Sequence, residues 1–179
     1  MAEKFRKLKL IELNRLDPEE FKEIPKIPII VVLDNIRSFH NVGSIFRSAD
    51  AFRIQSIYLT GYTAQPPHRE IHKTALGATE TVEWTYFKNA AEAIHNLEEK
   101  GFEIIPIEQA ENATSLDKIT MMRGRKIALI FGNEVDGVSE EYMEAAKTVV
   151  EVPQQGTKHS LNVSVCAGIV LWEFFKMNI

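Results

Sequence analysis

The chain has 179 residues, of which 45% are hydrophobic, with a formal net charge of -4 and a single cysteine. This length favours one domain whose core is large enough to fold without metals or cross-links. One cysteine excludes a disulfide framework and a multi-cysteine zinc site, so we expect a cytoplasmic protein without a bound metal. No apolar segment is long enough to span a bilayer, and no membrane association is expected.

The negative net charge disfavours the globally basic surface that is common among nucleic-acid binders, although local patches decide whether phosphates are attracted. Positive charge is concentrated in the N-terminal segment and again after a turn-like Gln-Pro-Pro. The two clusters contain Lys4, Arg6, Lys7, Lys9 and Arg15, and then His68, Arg69, His72 and Lys73. The first cluster is equally consistent with an ordinary solvated surface. We assign residues 1–26 to an N-terminal basic arm and residues 27–179 to one folded domain.

The predicted elements begin with residues 29–33 (IIVVL), an apolar, β-branched run typical of a strand that is buried on both faces of a parallel sheet. Apolar residues then recur at helical spacing over residues 42–52. Residues 57–59 resume strand character before a glycine. This order predicts a strand-helix-strand unit at the start of the domain.

Strands and helices continue to alternate through the rest of the chain. Asn89 can cap a helix because Glu92 follows three residues later, and residues 102–107 read as the next strand. The later predictions are a strand at 127–131, a helix from Ser139 to residue 146, a strand at 148–152 and a last helix at about 161–175. The alternation predicts an α/β domain with one doubly wound, mostly parallel sheet and helices on both faces.

Polar, glycine-containing segments follow three of these strands directly. They are residues 34–43, which lead into Arg47, then residues 131–137 and residues 152–164. Ligands of open parallel sheets bind beyond the carboxyl ends of the strands, where backbone amides and helix N-termini converge. The sequence therefore predicts a ligand site built from these three segments.

The same segments resemble, in order and at comparable spacing, the three motifs of the SpoU/TrmH branch of the SPOUT methyltransferases. NVGSIFRSADAF is similar to the first motif, GNEVDGV to the second and VPQQGTKHSLNVSVCAG to the third, and the resemblance covers about residues 28–176. HREIHKTALGATE also resembles the stretch after the first motif. Val152 and Gln154 depart from the commonest third motif, which has isoleucine and methionine there, and contacts made by the backbone should survive both changes.

The resemblance implies a deep trefoil knot in roughly residues 127–176, a feature that generic topology would not suggest. It also implies that S-adenosylmethionine binds in this knot in a bent form, mostly through backbone groups. The cofactor contacts carried over by position are Gly132, Val152, Leu161, Ile130 and Gly137. The two glycines suit this role because glycine permits tight turns and a close approach of the backbone to a ligand.

The activity implied by the resemblance is methyl transfer to the 2′-hydroxyl of a ribose in structured RNA. The catalytic residues carried over are Arg47, Asn41, Glu134, Ser160 and Asn162. A guanidinium holds its proton too tightly to be an ordinary base, so we expect Arg47 to clamp a phosphate and polarise the hydroxyl, and the proton acceptor stays open. Asn41 and Ser160 have an alternative role as helix caps.

RNA and a second subunit are the expected partners. The candidate residues for phosphate contacts are Arg69, Lys73, His68, Arg6 and Lys7. Larger relatives that act on ribosomal RNA often have an extra N-terminal domain, so the short arm slightly favours transfer RNA over ribosomal RNA. The last helix is apolar around nearly its whole circumference, which predicts a homodimer through this helix, as in the family; burial wholly within one subunit is the alternative.

Three other functions are less consistent with the sequence. A non-catalytic knotted RNA-binding or assembly protein would keep the fold, but the five candidate catalytic residues are all present. An oxidoreductase is disfavoured because no G-x-G-x-x-G motif follows the first strand. Base methylation by a related knotted enzyme uses different catalytic residues.

Overall fold

A computed structural model describes residues 5–120 and 123–179, so that Lys4 of the predicted basic arm lies outside the described residues. Within these ranges the strands are β1 (Ile27–Asp34), β2 (Ile54–Thr60), β3 (Glu83–Phe87), β4 (Glu103–Ile107), β5 (Thr114–Ser115), β6 (Ile127–Phe131) and β7 (Val150–Glu151). They form one sheet in the order β3-β2-β1-β6-β4-β7-β5, and every pairing is parallel.

Helices cover both faces of this sheet. They are α1 (Pro18–Glu23), α2 (Phe39–Ala51), α3 (Arg69–Ala75), α4 (Ala78–Thr81), α5 (Ala90–Glu99), α6 (Glu140–Ala145) and α7 (Val163–Lys176), with 3-10 turns at Leu10–Leu13 and Leu116–Lys118. Helices α2, α3, α4 and α7 share one hydrophobic core with the sheet, and α5 and α6 share the other. The predicted doubly wound α/β fold is confirmed. No helix in the described ranges combines the length and the apolar content needed to cross a membrane.

The two central strands explain why continuous apolar runs were the strongest signal in the sequence. In β1, Ile29, Val31 and Leu33 face the core of α2 and α7, while Ile30 and Val32 face the core of α5 and α6. Successive side chains of a strand point to opposite faces, so a strand covered on both faces must be apolar at every position. β6 shows the same division, and its bounds are those predicted.

Some elements were predicted only in part or not at all, and each has a weak sequence signal. β3 is an edge strand whose side chains are exposed or half-buried, so it lacks an apolar run. β7 has two residues instead of the predicted five. The predicted basic arm contains helix α1, which Asp17 caps by accepting hydrogen bonds from the backbone N–H groups of Glu19 and Glu20. Its Phe21 is buried, and α1 contacts α4, so this part of the arm packs on the domain.

Helices α2 and α7 lie side by side and run in the same direction. At their amino ends, Asn162 donates a hydrogen bond to Asn41, with 3.1 Å between nitrogen and oxygen. Towards their carboxyl ends, the rings of Phe52 and Phe175 have centroids 5.3 Å apart. The chain reaches α7 from β7, and two strands, β6 and β4, lie between β7 and β1 in the sheet. The connection from β7 to α7 therefore crosses the carboxyl edge of the sheet, where the candidate site lies.

Candidate functional site

A cavity of about 320 Å³ opens at the carboxyl edge of the sheet, between the segments that follow β4, β6 and β7. Its lining includes the apolar side chains of Phe131, Val152 and Leu161 and the polar side chains of Glu108 and Gln109. Ligand sites commonly combine an apolar surface with a few polar groups that fix orientation. Two of the three segments predicted to form the site, 131–137 and 152–164, line the cavity, whereas none of residues 34–43 does.

Four of the five predicted cofactor contacts line this cavity, namely Gly132, Gly137, Val152 and Leu161. The fifth, Ile130, lies elsewhere. Its side chain is fully buried in the core on the α5 and α6 face of the sheet. Because side chains alternate along a strand, Phe131 faces the cavity instead.

The loop after β6 folds back on itself around two glycines. Gly137 has a φ of +72°, a conformation that favours glycine, and a Cβ on Gly132 would overlap the backbone of Gly137. The carboxamide oxygen of Asn133 accepts hydrogen bonds from the backbone N–H groups of Val135 and Asp136, each at 2.9 Å. The loop is therefore closed by its own hydrogen bonds, and its backbone forms one wall of the cavity.

Glu108 and Gln109 are site residues that the sequence analysis missed. The two carboxylate oxygens of Glu108 accept hydrogen bonds from the backbone N–H of Val138 at 3.1 Å and of Gln109 at 2.9 Å. The side-chain amide of Gln109 donates to the backbone oxygen of His159 at 2.7 Å. This pair joins the segments after β4, β6 and β7. Both residues follow a predicted strand, which was the available signal, but they lie outside the three motifs.

Side chains from all three motifs meet in a polar cluster, which consists of Asn41, Glu134 and Asn162. The amide nitrogen of Asn41 donates to a carboxylate oxygen of Glu134 at 2.7 Å. The amide oxygen of Asn41 accepts from the amide nitrogen of Asn162 at 3.1 Å. The first turn of α2 is thereby joined to the loop after β6 and to the start of α7.

The capping roles differ from the alternatives raised by the sequence. Helix α2 is capped by Ser38, whose hydroxyl accepts from the backbone N–H of Asn41 at 3.3 Å. Helix α7 is capped by Asn162, whose amide oxygen accepts from the backbone N–H of Ser164 at 3.0 Å. The cap interpretation is therefore wrong for Asn41 and for Ser160. Ser160 is exposed and lines the cavity.

Asp34 holds the loop that carries Glu134. It is 1% exposed, and one of its carboxylate oxygens accepts from both the backbone N–H of Ser139 at 2.8 Å and the Ser139 hydroxyl at 2.6 Å. Its other oxygen accepts from the hydroxyl of Thr60 at 3.1 Å. A buried carboxylate needs such donors to offset the loss of water. Ser139 precedes α6 as predicted, but its hydroxyl serves Asp34 and does not cap the helix.

Arg47 is separated from the polar cluster within one chain. It lies six residues after Asn41 on α2, which is about 9 Å along the helix and about 120° around it. The side chain is exposed and makes no hydrogen bond or ion pair with any residue that the structure describes. The parallel arrangement of the two helices places Arg47 about level with Gly168 and Ile169 of α7.

The predicted RNA contacts around α3 differ in how free they are. The Arg69 side chain is 85% exposed. The ammonium group of Lys73 lies 2.8 Å from a carboxylate oxygen of Glu70. His68 caps α3 by accepting from the backbone N–H of Glu70 at 3.2 Å, and its ring stacks on that of Phe39. The Arg69 guanidinium lies 3.9 Å from a carboxylate oxygen of Glu70, so Arg69 is the least tightly held of these three side chains.

The predicted contacts in the basic arm are also at the surface. Arg6 lies 2.7 Å from a carboxylate oxygen of Glu12, and Lys7 is exposed. Exposed ion pairs contribute little to stability, so a phosphate can replace the carboxylate as the partner of Arg6.

Cys166 is half-buried in the wall of the cavity. Burial, with a smaller contribution from the Glu108 carboxylate, raises the pKa of its thiol to about 11. The thiol is therefore protonated and weakly nucleophilic at neutral pH. Among the described residues, no three His, Cys, Asp or Glu side chains lie close enough together to hold a metal ion.

Comparison with known proteins gives a family match over most of the chain. Residues 28–172 match the model of the SpoU rRNA Methylase family. The chain is 34% identical over 150 residues to the 23S rRNA (guanosine-2′-O-)-methyltransferase RlmB of Nitrosomonas europaea, an alignment covering 84% of this chain and 56% of the relative. It is 29% identical over 168 residues to RlmB of Vibrio vulnificus, covering 94% and 67%. The chain thus spans little more than half the length of the first of these relatives.

Solved structures agree with this match. The TrmH/SpoU tRNA modifying enzyme of A. aeolicus has a TM-score of 0.76 at 26% identity, covering 89% of this chain and 79% of the other. The AdoMet-bound rRNA methyltransferase of Sinorhizobium meliloti has a TM-score of 0.79 at 26% identity, covering 89% and 60%. The doubly wound parallel sheet with a C-terminal trefoil knot, which the motifs implied, is the fold of this group. The chain belongs to the SpoU rRNA methylase family.

Proposed function

We propose that the chain transfers a methyl group from S-adenosylmethionine to the 2′-hydroxyl of a ribose in RNA. The observation that carries this proposal is the polar cluster, in which Asn41, Glu134 and Asn162 join the three motifs beside the cavity. The names of the RlmB relatives, which specify guanosine 2′-O-methylation, support the same acceptor group.

The cavity suits S-adenosylmethionine, which combines a flat apolar base with hydroxyl groups and a charged amino acid. Apolar side chains supply a surface for the base, and Glu108 and Gln109 offer polar groups for hydroxyl or ammonium groups. Gly132, Val152 and Leu161 would hold the cofactor, mostly through their backbone. When bound, it supplies a methyl group on a sulfonium, which is a good leaving group.

The chain's own residues would prepare the acceptor. A ribose hydroxyl is a poor nucleophile at neutral pH until its proton is removed or strongly hydrogen-bonded. The amide of Asn41 is fixed by one donated and one accepted hydrogen bond, which leaves one N–H and one lone pair for the ribose. Arg47 would bind the adjacent phosphate in the fork geometry of a guanidinium and so position the nucleotide.

We further propose a homodimer through α7. Val165, Gly168, Ile169 and Trp172 lie at the spacing of one helix face. The three larger side chains are 52%, 40% and 49% exposed, so the alternative of burial wholly within one subunit is wrong. Gly168 has open space around it, which leaves room for a close partner helix.

This dimer would also complete the site around Arg47. Arg47 lies about 120° around α2 from Asn41, so its side chain points away from the polar cluster of its own chain. A partner subunit packed on α7 would place a second polar cluster near α2. We therefore propose that Arg47 of one subunit acts on RNA bound at the cluster of the other.

Ribosomal RNA is the acceptor that we propose first. Both RlmB relatives are named as acting on 23S rRNA, so the preference for transfer RNA expected from the sequence is not supported by them. The A. aeolicus structure is named as a tRNA modifying enzyme, and transfer RNA is the second choice. The phosphate contacts that we propose are Arg69, Lys73, His68, Arg6 and Lys7.

The experiment is methyl transfer from labelled S-adenosylmethionine to separate pools of unmodified ribosomal RNA, transfer RNA and DNA, followed by identification of the labelled nucleosides. We expect label in 2′-O-methylated nucleosides of ribosomal RNA. Arg47→Ala should lower the rate about 10³-fold, as expected for loss of a group that stabilises the transition state. Calorimetric affinity for S-adenosylmethionine should be unchanged, because Arg47 does not line the cavity.

Lys147→Ala is the matched control, since Lys147 is an exposed cation at the opposite edge of the sheet. This variant should transfer methyl groups at the wild-type rate. Label on a base would contradict the ribose acceptor. Cofactor and RNA binding without any transfer would favour the non-catalytic RNA-binding alternative.

A further inference from the structure

Four planar side chains lie in two exposed pairs beside the polar cluster. The guanidinium carbon of Arg37 lies 5.5 Å from the ring centroid of Tyr62. The rings of Phe39 and His68 are stacked, with centroids 3.9 Å apart and 12° between their planes. We call these four residues the aromatic platform. None of them belongs to the polar cluster or lines the cavity.

The platform keeps large aromatic surfaces in water. Tyr62 is 52% exposed and Phe39 is 38% exposed, while Arg37 and His68 are exposed as well. These pairs combine exposed π-faces with positive charge, which suits a partner that is planar and negatively charged.

Hydrogen bonds hold the backbone beneath Tyr62 in place. The amide oxygen of Asn35 accepts from the backbone N–H of Tyr62 at 3.3 Å, and it occupies the space that a Cβ on Gly61 would need. The hydroxyl of Thr63 accepts from the backbone N–H of Ile36 at 2.9 Å. The loops after β1 and β2 are thus joined before any partner binds.

The Phe39 and His68 pair is fixed in a similar way. Phe39 is the first residue of α2, and His68 caps α3 through its ring nitrogen. Surfaces that are ordered in advance lose little entropy on binding, which suits the recognition of a flexible partner. Asn41 follows Phe39 by two residues, so the platform borders the site where the ribose would bind.

We infer that the aromatic platform stacks on unpaired bases of the RNA, next to the nucleotide that is methylated. The inference rests on the proposed function, and it specifies single-stranded or loop RNA as the form of substrate. Bases within a duplex already stack on one another, whereas unpaired bases offer free faces to aromatic and guanidinium groups. The positive charge of Arg37 also suits an RNA partner better than an apolar peptide.

The first experiment uses the full chain and a short single-stranded RNA that contains one 2-aminopurine, whose fluorescence falls when it stacks. We expect binding to quench the probe. Tyr62→Leu keeps apolar bulk but removes the π-face, so it should weaken binding about tenfold and abolish most of the quenching. Tyr62→Phe is the matched control and should keep both. The same strand in duplex form should bind the wild type and Tyr62→Leu equally.

Phe39→Leu provides a second variant, and melting temperatures identify any variant that does not fold. Wild-type binding and quenching in both leucine variants would overturn the inference. Methyl transfer by the wild type without quenching of any probe position would overturn it while the proposed function stands. Ring-dependent quenching without methyl transfer would support the platform and contradict the proposed function.

Discussion

The two halves of helix α2 hold their polar side chains in different ways. In the first turn, Asn41 is fixed by hydrogen bonds of 2.7 Å to Glu134 and 3.1 Å to Asn162. Less than two turns later, Arg47 is exposed and makes no polar contact within the described part of the chain. Under the proposed function, one chain alone fixes the group that would orient the ribose, whereas the group that would bind the phosphate is not held by its own chain.

Packing explains why the two halves differ. Near the amino end, a Cβ on Gly43 would overlap Thr74 and the backbone of Ile71, so α2 is pressed closely against α3 there. Arg47 follows Gly43 by about one helical turn, on a side of α2 that does not face α7, and its side chain is exposed. Ordering an arginine side chain costs up to about 2 kcal/mol of rotamer entropy, which is offset only when a phosphate is bound.

The strongest test of this comparison mixes two impaired variants, Arg47→Ala and Asn162→Ala. If each site takes Arg47 from one subunit and the polar cluster from the other, a hybrid dimer has one intact site. With random exchange, half of the dimers would be hybrids, and about a quarter of the wild-type activity should return. The measurement is the rate of label transfer to RNA after subunit exchange.

A mixture that stays inactive, although exchange is shown with two different affinity tags, would place both groups of a site in the same subunit. Ile169→Glu gives an independent control, because a charge in the apolar face of α7 should prevent dimer formation. Sedimentation should then show a monomer that binds S-adenosylmethionine but does not transfer the methyl group.

A smaller effect is expected from Asn162→Asp, which keeps the role of residue 162 as the cap of α7 but removes its hydrogen bond to the polar cluster. The aspartate can still accept from the backbone N–H of Ser164, so the melting temperature should stay close to that of the wild type. It cannot donate to Asn41, and transfer should fall about tenfold as one neutral hydrogen bond is lost. Asn162→Ala loses both the hydrogen bond to Asn41 and the cap. Its transfer rate should fall at least as far, and it should also lose about 1 kcal/mol of unfolding free energy.

The rate of methyl transfer and the thermal unfolding of the two variants distinguish the contribution of the cap from that of the hydrogen bond to Asn41. Equal destabilisation of both would mean that the bond to Asn41, and not the cap, stabilises the start of α7. Full activity of the aspartate variant would remove the polar cluster from the catalytic site.

The sequence predicted those strands whose burial is visible in their own residues. Residues 29–33 and 127–131 had to be apolar throughout because both faces of their strands are covered. β3 and β5 lie at the edges of the sheet, where pairing with a neighbour and not burial creates the strand. No periodicity marks such a strand, so β3 could not be predicted from its own residues.

The candidate site was likewise predictable in part. The motifs predicted which loops form it, since loops after parallel strands share one edge, and they included Asn41 and Asn162. The separation of Arg47 from Asn41 follows from their six-residue spacing on one helix, whereas the contact of Asn41 with Asn162 depends on how α2 packs against α7. Glu108 was not predicted. It accepts a hydrogen bond from the backbone N–H of Val138, and this contact joins residues 30 positions apart in the sequence.

The smallest expected effect uses Cys166 as a reporter of the cavity, to show that changes at Arg47 leave the amino end of α7 intact. Burial raises the pKa of its thiol from 9.0 to about 11, so the reactive thiolate is about 100-fold scarcer at pH 8 than in an unshifted thiol. Alkylation by iodoacetamide, followed by mass spectrometry, should be slow at pH 8 and should rise about tenfold per pH unit until the pKa is reached. S-adenosylmethionine should slow the alkylation further, because Cys166 lines the cavity.

Arg47→Ala should show the same protection of Cys166 as the wild type, whereas Asn162→Ala, which loosens the first turn of α7, should react faster. Loss of protection in Arg47→Ala would mean that the two halves of α2 are coupled through the cofactor cavity, against the separation that the structure shows.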